Sequence, residues 1–440
     1  MKKTLFVTLL SAMCLGATAQ SITPKMLEKF KTDNALTATD RAIHNAMAVN
    51  DVRNLAVNQA NQTEMDTYFA YSVPSKGITD QKSSGRCWLF TGLNVMRSKV
   101  INEYNLPGLT FSHVYNFFYD QLEKANLFLQ AIIDTGDKPM DDKTVEWLFK
   151  HPLSDGGTFT GVADLVAKYG IVPAGVMPET YASNNTGRFT SLIVRKLRED
   201  GLILRDKIAA GAKSKEVQAL KIDMLSEVYR ILVLGFGEPT TTFKWAPKDA
   251  QGKYMWEPKE YTPQSFYESL GLNADDYVSL TSYTHHPFYE SFVLEIQDNW
   301  RWAKSYNLPI DEFMQVFDNA IMEGYTIAWG SDVSETGFDR KGKAVMTDEK
   351  KGDLQGSDMA KWLKLSEEEK KNTPKPSTEK WCTQEERQQA YDNWETTDDH
   401  GMQIYGIAKD KDGVEYYMVK NSWGEAGDYK GIWYASKAFA

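Results

Sequence analysis

The sequence predicts an α+β protein of two lobes, because helical patterns fill its N-terminal half and strand patterns its C-terminal end. Apolar residues recur at helical spacing after Arg86-Cys87 and again over Phe111–Ile133. Three strand patterns close the chain, and a DKDG turn separates the first two. A cleft between two such lobes is a usual place for a substrate site.

The elements follow in order along the chain. Helices are predicted where apolar residues recur at helical spacing: residues 25–60, 87–100, 111–133, 161–169, 191–230 and 307–323. Strands are predicted at 68–73, 325–330, 402–409, 414–421 and 431–436. The pattern places an inserted, mostly helical region at about residues 185–300 and a charged surface excursion at residues 340–378.

Composition is that of a globular chain, with 42% hydrophobic and 25% charged residues among 440. The formal net charge of -10 disfavours nonspecific nucleic-acid binding, which requires clustered lysine and arginine. The densest basic run, Arg195-Lys196-Leu197-Arg198, is followed at once by Glu199-Asp200. That mixed pattern predicts a solvated helix face.

The N-terminus has the pattern of a secretory signal peptide over residues 1–19. Lys2 and Lys3 precede an apolar stretch, and Ala17-Thr18-Ala19 fits the cleavage rule, so the mature chain is expected to start near Gln20. We therefore expect export, to the periplasm or as a secreted protein. An uncleaved tether or a lipid on Cys14 are alternatives, and no other segment predicts a stable membrane span.

Cysteine usage points to reactivity. Cleavage would remove Cys14 and leave Cys87 and Cys382, which allow at most one internal disulfide. Cys87 stands where the loop QKSSGR turns into a helix, and the positive end of a helix dipole lowers the pKa of a thiol. The Cys87 N–H and the Gln81 side-chain amide can donate to an oxyanion.

Two later segments supply a base and its orienting group. Histidine has a pKa suited to proton transfer, and His400 opens a predicted strand. Asn421 ends the next strand, where its amide oxygen can accept from the imidazole N–H. Trp423 can cover that bond. Since a hairpin joins the two strands, His400 and Asn421 are expected to meet.

The pattern Gln-(five residues)-Cys-Trp, Asp-His and Asn-Ser-Trp-Gly resembles papain-like cysteine peptidases. From about Asn45 to Gly424 the chain is more similar to the bleomycin hydrolase and aminopeptidase C family. The matching pieces are QKSSGRCWLF (81–90), SHVYNFFYDQLEKANLF (112–128), DGG (155–157), KYGIVP (168–173), FGEP (236–239) and NSWG (421–424). The long stretch between Cys87 and His400 requires large insertions.

The resemblance implies a papain-like fold and peptide-bond hydrolysis through a thioester intermediate. It also implies peptide substrates, from which residues are removed at the amino end. It implies the triad Cys87, His400 and Asn421, with Gln81 as the oxyanion donor and Gly156-Gly157 as a backbone ledge for an extended substrate. Trp423 is placed with the substrate-binding residues. No metal or organic cofactor is implied, and the family assembles as homo-hexamers.

Two departures keep alternatives open. Family members continue past the Asn-Ser-Trp-Gly motif into a tail that lies in the cleft, whereas this sequence ends at Ala440. An endopeptidase and a catalytically idle binding protein are therefore the alternatives to an aminopeptidase. Gly401 stands where the family usually has alanine, a change that should leave the base in place.

Other reactive residue types are predicted to be structural. Nothing around Cys382 supplies a base, and His113 lies in an aromatic helix pattern that predicts packing. His285-His286 has no carboxylate or cysteine at ligand spacing close by. Adjacent strand residues also point to opposite faces, so the sequence predicts that these histidines share no metal ion.

Overall fold

The computed structural model describes residues 22–52, 55, 65–106, 108–249, 251–296, 298–346 and 379–440. The predicted signal peptide and most of the predicted charged excursion lie outside these residues. The chain divides into two units, residues 1–62 with 348–378, and residues 63–347 with 379–440. No helix within the described residues is both long and apolar enough to cross a membrane.

The first unit contains two helices whose full bounds lie within the described residues. Helix α1 spans Pro24–Asp33 and helix α2 spans Ala38–Met47. A threonine caps each N-terminus, where the hydroxyl of Thr23 or Thr37 accepts a backbone N–H of the first turn. These caps satisfy N–H groups that have no partner inside a helix.

The helical lobe of the second unit forms around one apolar core. Its helices are α3 (Cys87–Tyr104), α4 (His113–Asp134), α5 (Lys143–Lys150), α6 (Phe159–Tyr169), α7 (Thr186–Ala209) and α8 (Ser214–Phe236). Leu89, Phe117 and Leu232, from α3, α4 and α8, are fully buried in that core. Burying such side chains stabilises the lobe by about 1.5–3 kcal/mol each. The core holds the start of α3 in place.

Short strands and one further helix follow α8. Strands β2 (Phe243–Trp245) and β3 (Lys259–Tyr261) pair with each other, and helix α9 (Pro263–Ser269) comes next. A second small sheet, of order β4-β6-β5, contains β4 (Leu280–Thr281), β5 (Ser291–Val293) and β6 (Lys304–Asn307). The segment predicted as a mostly helical insertion is therefore helical as far as Phe236, whereas short strands and one short α-helix follow beyond it.

The β-rich lobe is a seven-stranded sheet. Its remaining elements are β1 (Met65–Ser72), α10 (Ile310–Met322), β7 (Ile327–Ser331), β8 (Phe338–Asp339), β9 (Lys343–Ala344), α11 (Gln384–Asp392), β10 (His400–Asp410), β11 (Glu415–Lys420) and β12 (Ile432–Ser436). The strand order is β1-β10-β11-β12-β9-β8, and β7 pairs with β10. Strands β10 and β11 are antiparallel, as the sequence predicts.

The loop before α3 contacts the end of β11. The Gln81 N–H donates to the Ser422 carbonyl at 2.8 Å, and the Gly424 N–H donates to the Thr79 carbonyl at 3.0 Å. This backbone pairing brings the first turn of α3 beside the start of β10. The two lobes of the predicted fold therefore meet where the sequence places its reactive residues.

Candidate active site

Cys87 is the first residue of α3, at the junction of the lobes. Arg86 is the N-cap residue of α3, and its side chain makes no capping hydrogen bond. The backbone N–H groups of the first turn can therefore donate to other acceptors. The backbone N–H groups of Gly401 and Trp88 donate to the sulfur. A Cβ on Gly401 would lie 3.2 Å from the Trp88 Cα, so glycine permits this close approach.

His400 and Asn421 lie together in the β-rich lobe. His400 Nε2 and Asn421 Oδ1 are 2.8 Å apart, and both residues are buried. Asn421 Oδ1 also accepts the Ser422 N–H at 2.7 Å, which fixes the amide orientation. The ring of Trp423 covers His400 at a centroid distance of 4.7 Å. Because Nε2 is engaged, Nδ1 is the nitrogen left to exchange a proton.

Burial decides the resting charges of the pair. It raises the pKa of the Cys87 thiol to about 11, helped by the charges of Asp398 and Asp298 and opposed by two backbone N–H groups. The predicted lowering of the thiol pKa is therefore wrong for the folded chain, where burial outweighs the effect of the helix N-terminus. Burial also lowers the pKa of His400, while the hydrogen bond that its Nε2 donates to Asn421 raises it. Proton transfer from the thiol to the imidazole would create opposite charges, whose attraction offsets the free-energy cost of burying them.

Three hydrogen bonds fix Gln81, which lies in the loop before Cys87. Its Oε1 accepts the Ser422 hydroxyl at 2.6 Å, and its backbone N–H donates to the Ser422 carbonyl. Its Nε2 donates one hydrogen to the Ser84 carbonyl at 2.5 Å. A primary amide has two N–H hydrogens, so one remains to donate to an oxyanion. Sequence reasoning did not single out Ser422, the residue that orients this amide.

Gly156 and Gly157 form a surface without side chains. A Cβ on Gly157 would lie 2.8 Å from the Trp88 indole, and one on Gly156 would lie 2.3 Å from Asp298 Oδ1. The Trp88 indole N–H donates to the Asp155 carbonyl at 2.9 Å and ties this segment to α3. Both glycines remain partly exposed. They can therefore pair with the backbone of an extended substrate.

An ion pair between a buried arginine and a partly exposed glutamate holds the residue before the nucleophile. The Arg86 guanidinium is fully buried and donates to Glu179 Oε2 at 2.8 Å. Glu179 also accepts the Val114 N–H and the Ser183 hydroxyl. Arg86 stands inside the motif QKSSGRCW, and a charged residue at that position was the one sequence signal for an ion pair. The sequence does not indicate that Glu179 is the partner.

Two carboxylates lie close enough to Cys87 for their charges to act on the thiol. Asp298 comes from the loop after β5 and faces Gly156, while Asp398 precedes β10 and faces Gly330. Burial within the surrounding protein, and next the charge of Asp298, raise the pKa of Asp398 to about 7. Asp398 is nevertheless accessible to solvent, as expected in an open cleft. Sequence reasoning missed Asp298 altogether.

The chain matches the model of the family described as Peptidase C1-like over residues 21–355. The chain belongs to that family. It is 32% identical over 421 residues to Aminopeptidase E of Lactobacillus helveticus, an alignment that covers 94% of this chain and 90% of that protein. It is 31% identical to Aminopeptidase C of Streptococcus thermophilus, covering 95% and 90% of the two chains.

A solved structure agrees with this assignment. The crystal structure of PepW from Lactobacillus rhamnosis HN001 superposes with a TM-score of 0.77 at 29% identity, over 96% of this chain and 90% of that one. The predicted papain-like α+β fold and the resemblance to the aminopeptidase C family are both confirmed. This member of the family is a cysteine-type peptidase.

The prediction that His285 and His286 face opposite ways is wrong. The two residues lie in a bend after β4 and not in a strand, and their ring centroids are 4.6 Å apart. Glu295, ten positions farther along the chain than His285, contacts both rings. The sequence prediction missed Glu295 because it follows β5, and the fold brings that segment back to the two histidines before β5.

Proposed function

We propose that this chain is a cysteine aminopeptidase, which removes residues from the free amino end of peptides. The observation that carries the proposal is that the charges of two carboxylates, Asp298 and Asp398, act on Cys87 in a site that also holds the His400–Asn421 pair. The names of the relatives support the same activity. Assembly as a homo-oligomer stays a prediction from the family resemblance.

The site can perform hydrolysis through a thioester. Cys87 loses its proton to Nδ1 of His400, and the sulfur attacks the substrate carbonyl carbon. The Cys87 N–H and the free Gln81 N–H donate to the oxyanion. The tetrahedral intermediate collapses when His400 protonates the leaving amine. Water, deprotonated by His400, then attacks the thioester and releases the acid and the thiol.

Asn421 acts on His400 through one atom, so we expect Asn421→Ala to lower kcat by about 10- to 100-fold. A lost hydrogen bond to a charged group costs about 1.5–3 kcal/mol, and the imidazolium would lose this acceptor. Asn421 Nδ2 has no partner among the described residues, so the loss reports on Oδ1 alone. Asn421→Asp keeps an acceptor oxygen and should recover part of the activity. Steady-state kinetics with equal rates for Ala and wild type would contradict this role.

Asp298 and Asp398 fit the positive amino terminus of a substrate. Their mutual repulsion contributes to the raised pKa of Asp398, so a cation between them would relieve an unfavourable charge pair. An endopeptidase substrate presents an uncharged amide at this position and gains nothing from either carboxylate. The two carboxylates therefore favour an aminopeptidase.

We expect Asp298→Asn/Asp398→Asn to reduce kcat/KM for a free-amine peptide by about 10- to 100-fold, since one hydrogen bond between the substrate ammonium group and a carboxylate contributes about 1.5–3 kcal/mol. A matched acetylated peptide, followed by mass spectrometry, should remain a poor substrate throughout. The exposed Asp141→Asn serves as the control. Internal cleavage of both peptides by the wild type would replace the proposal with an endopeptidase.

The ionisation of Asp398 should make kcat/KM depend on pH. Asp398 must be ionised to attract an ammonium group, so kcat/KM for the free-amine peptide should rise through its pKa of about 7. It should fall again as the substrate amine loses its proton near about 7.7–8.0. Asp398→Asn should flatten the rising limb only.

A further inference from the structure

Three potential metal ligands converge where the loop between β4 and β5 meets the segment just after β5. His285 Nε2 lies 3.4 Å from Glu295 Oε2, and His286 Nε2 lies 3.2 Å from Glu295 Oε1. One ligand atom from each residue lies within 4.8 Å of the others, and the described residues contain no other such group. Imidazole nitrogen and carboxylate oxygen are both ligands of Zn²⁺.

The spacing is compatible with a shared ion. Ligand atoms held about 2.0–2.1 Å from a tetrahedral Zn²⁺ are separated from each other by roughly 3.3 Å. Hydrogen bonds between nitrogen and oxygen are usually about 2.7–3.2 Å long. The two measured separations lie at or beyond the upper end of that range. Two histidines and a glutamate also leave a fourth tetrahedral position for water.

Both rings are held in place by neighbouring aromatic side chains. His285 stacks on Tyr391 of α11, with centroids 5.3 Å apart and planes inclined by 13°. His286 stacks on Phe292 of β5 at 4.1 Å and 23°. Such packing restricts the ring torsions before any ion binds, which reduces the entropy cost of binding.

Gln388 of α11 provides an outer partner. This buried amide approaches His285 Nδ1 with its oxygen at 3.4 Å and its nitrogen at 3.1 Å. Its oxygen also accepts the Thr284 N–H at 2.6 Å, which anchors the bend. When Nε2 binds a metal, Nδ1 carries the proton and can donate to that oxygen. Metal-binding histidines commonly have such a partner.

We propose that His285, His286 and Glu295 bind a divalent transition-metal ion, with Zn²⁺ as the best match to the donor set. The ion would close the loop between β4 and β5 against α11, since the Tyr391 hydroxyl already donates to the Glu295 carbonyl at 3.1 Å. Asp298, which faces Gly156, follows Glu295 by three positions. Metal binding thus restrains the segment that places a carboxylate beside the cleft.

The test uses the full chain with Cys87→Ala and Cys382→Ser, in a Cys14→Ser background, so that no thiol binds the probe. Titration with Zn²⁺ alone by calorimetry should give one ion per chain, and Co²⁺ should give the visible bands of a four-coordinate site. His286→Ala and Glu295→Gln, checked for folding by circular dichroism, should each weaken binding at least about tenfold. His151→Ala, an exposed histidine at the end of α5, should not.

A second measurement tests the restraint on the loop. Amide hydrogen exchange over residues 298–303 should slow at saturating Zn²⁺ in the Cys14→Ser/Cys87→Ala/Cys382→Ser chain and stay unchanged in its Glu295→Gln derivative. Equal affinity in all variants, or no binding, would overturn the metal site. Binding without slower exchange would overturn the restraint. Neither result depends on whether the chain is an aminopeptidase, because both are read without substrate.

Discussion

Replacing Cys87 with alanine should lower kcat for peptide hydrolysis by at least about 10⁴-fold. The sulfur forms the covalent bond to the substrate, and removal of a triad nucleophile commonly leaves only the contribution of the oxyanion donors and substrate binding. Gln81 and its partner Ser422 are untouched by the substitution, so peptide binding should persist. The expected result is a large loss in kcat with little change in substrate affinity.

Cys382→Ser provides the matched control for this substitution. Cys382 is the second free cysteine that the structure describes, and it lies just before α11, where burial raises its pKa. Its replacement should leave kcat and KM unchanged. Single-turnover and steady-state assays of both variants check the prediction. Substantial hydrolysis by the Cys87→Ala protein would remove Cys87 from the mechanism and favour an unrelated site.

Arg86→Met should lower the free energy of unfolding by about 1.5–3 kcal/mol, as expected when a charged hydrogen bond is lost. The guanidinium is fully buried, and it also approaches the faces of Phe90 and Phe117 at 5.1 and 5.5 Å. Methionine fills part of the space but leaves Glu179 without its countercharge. Urea denaturation monitored by fluorescence measures the change.

A double-mutant cycle separates charge from packing in that pair. Glu179→Gln should also destabilise the protein, and the combined Arg86→Met/Glu179→Gln variant should lose less than the sum of the two. The exposed pair Lys29–Asp33 provides the comparison, since Lys29→Met should cost less than about 1 kcal/mol. Unfolding of Arg86→Met at the wild-type urea concentration would contradict the role assigned to this ion pair.

Features that depend on neighbouring residues could be predicted from the sequence. Cys87 begins a helix because the polar, glycine-containing loop before it gives way to apolar residues at helical spacing. His400 and Asn421 meet because a tight turn joins antiparallel strands, a register that places Gln403 opposite Lys420. Both the α+β class and the reactive residues of the motifs were therefore predictable.

Features that depend on distant residues were decided by the tertiary structure. The raised pKa of the Cys87 thiol follows from burial and from Asp298, which arrives on a loop more than two hundred positions away. The partner of Arg86 and the grouping of Glu295 with His285 and His286 have the same origin. Sequence periodicity reports which face of an element is apolar, whereas desolvation and charge interactions depend on distances between elements, which only packing of the whole chain determines.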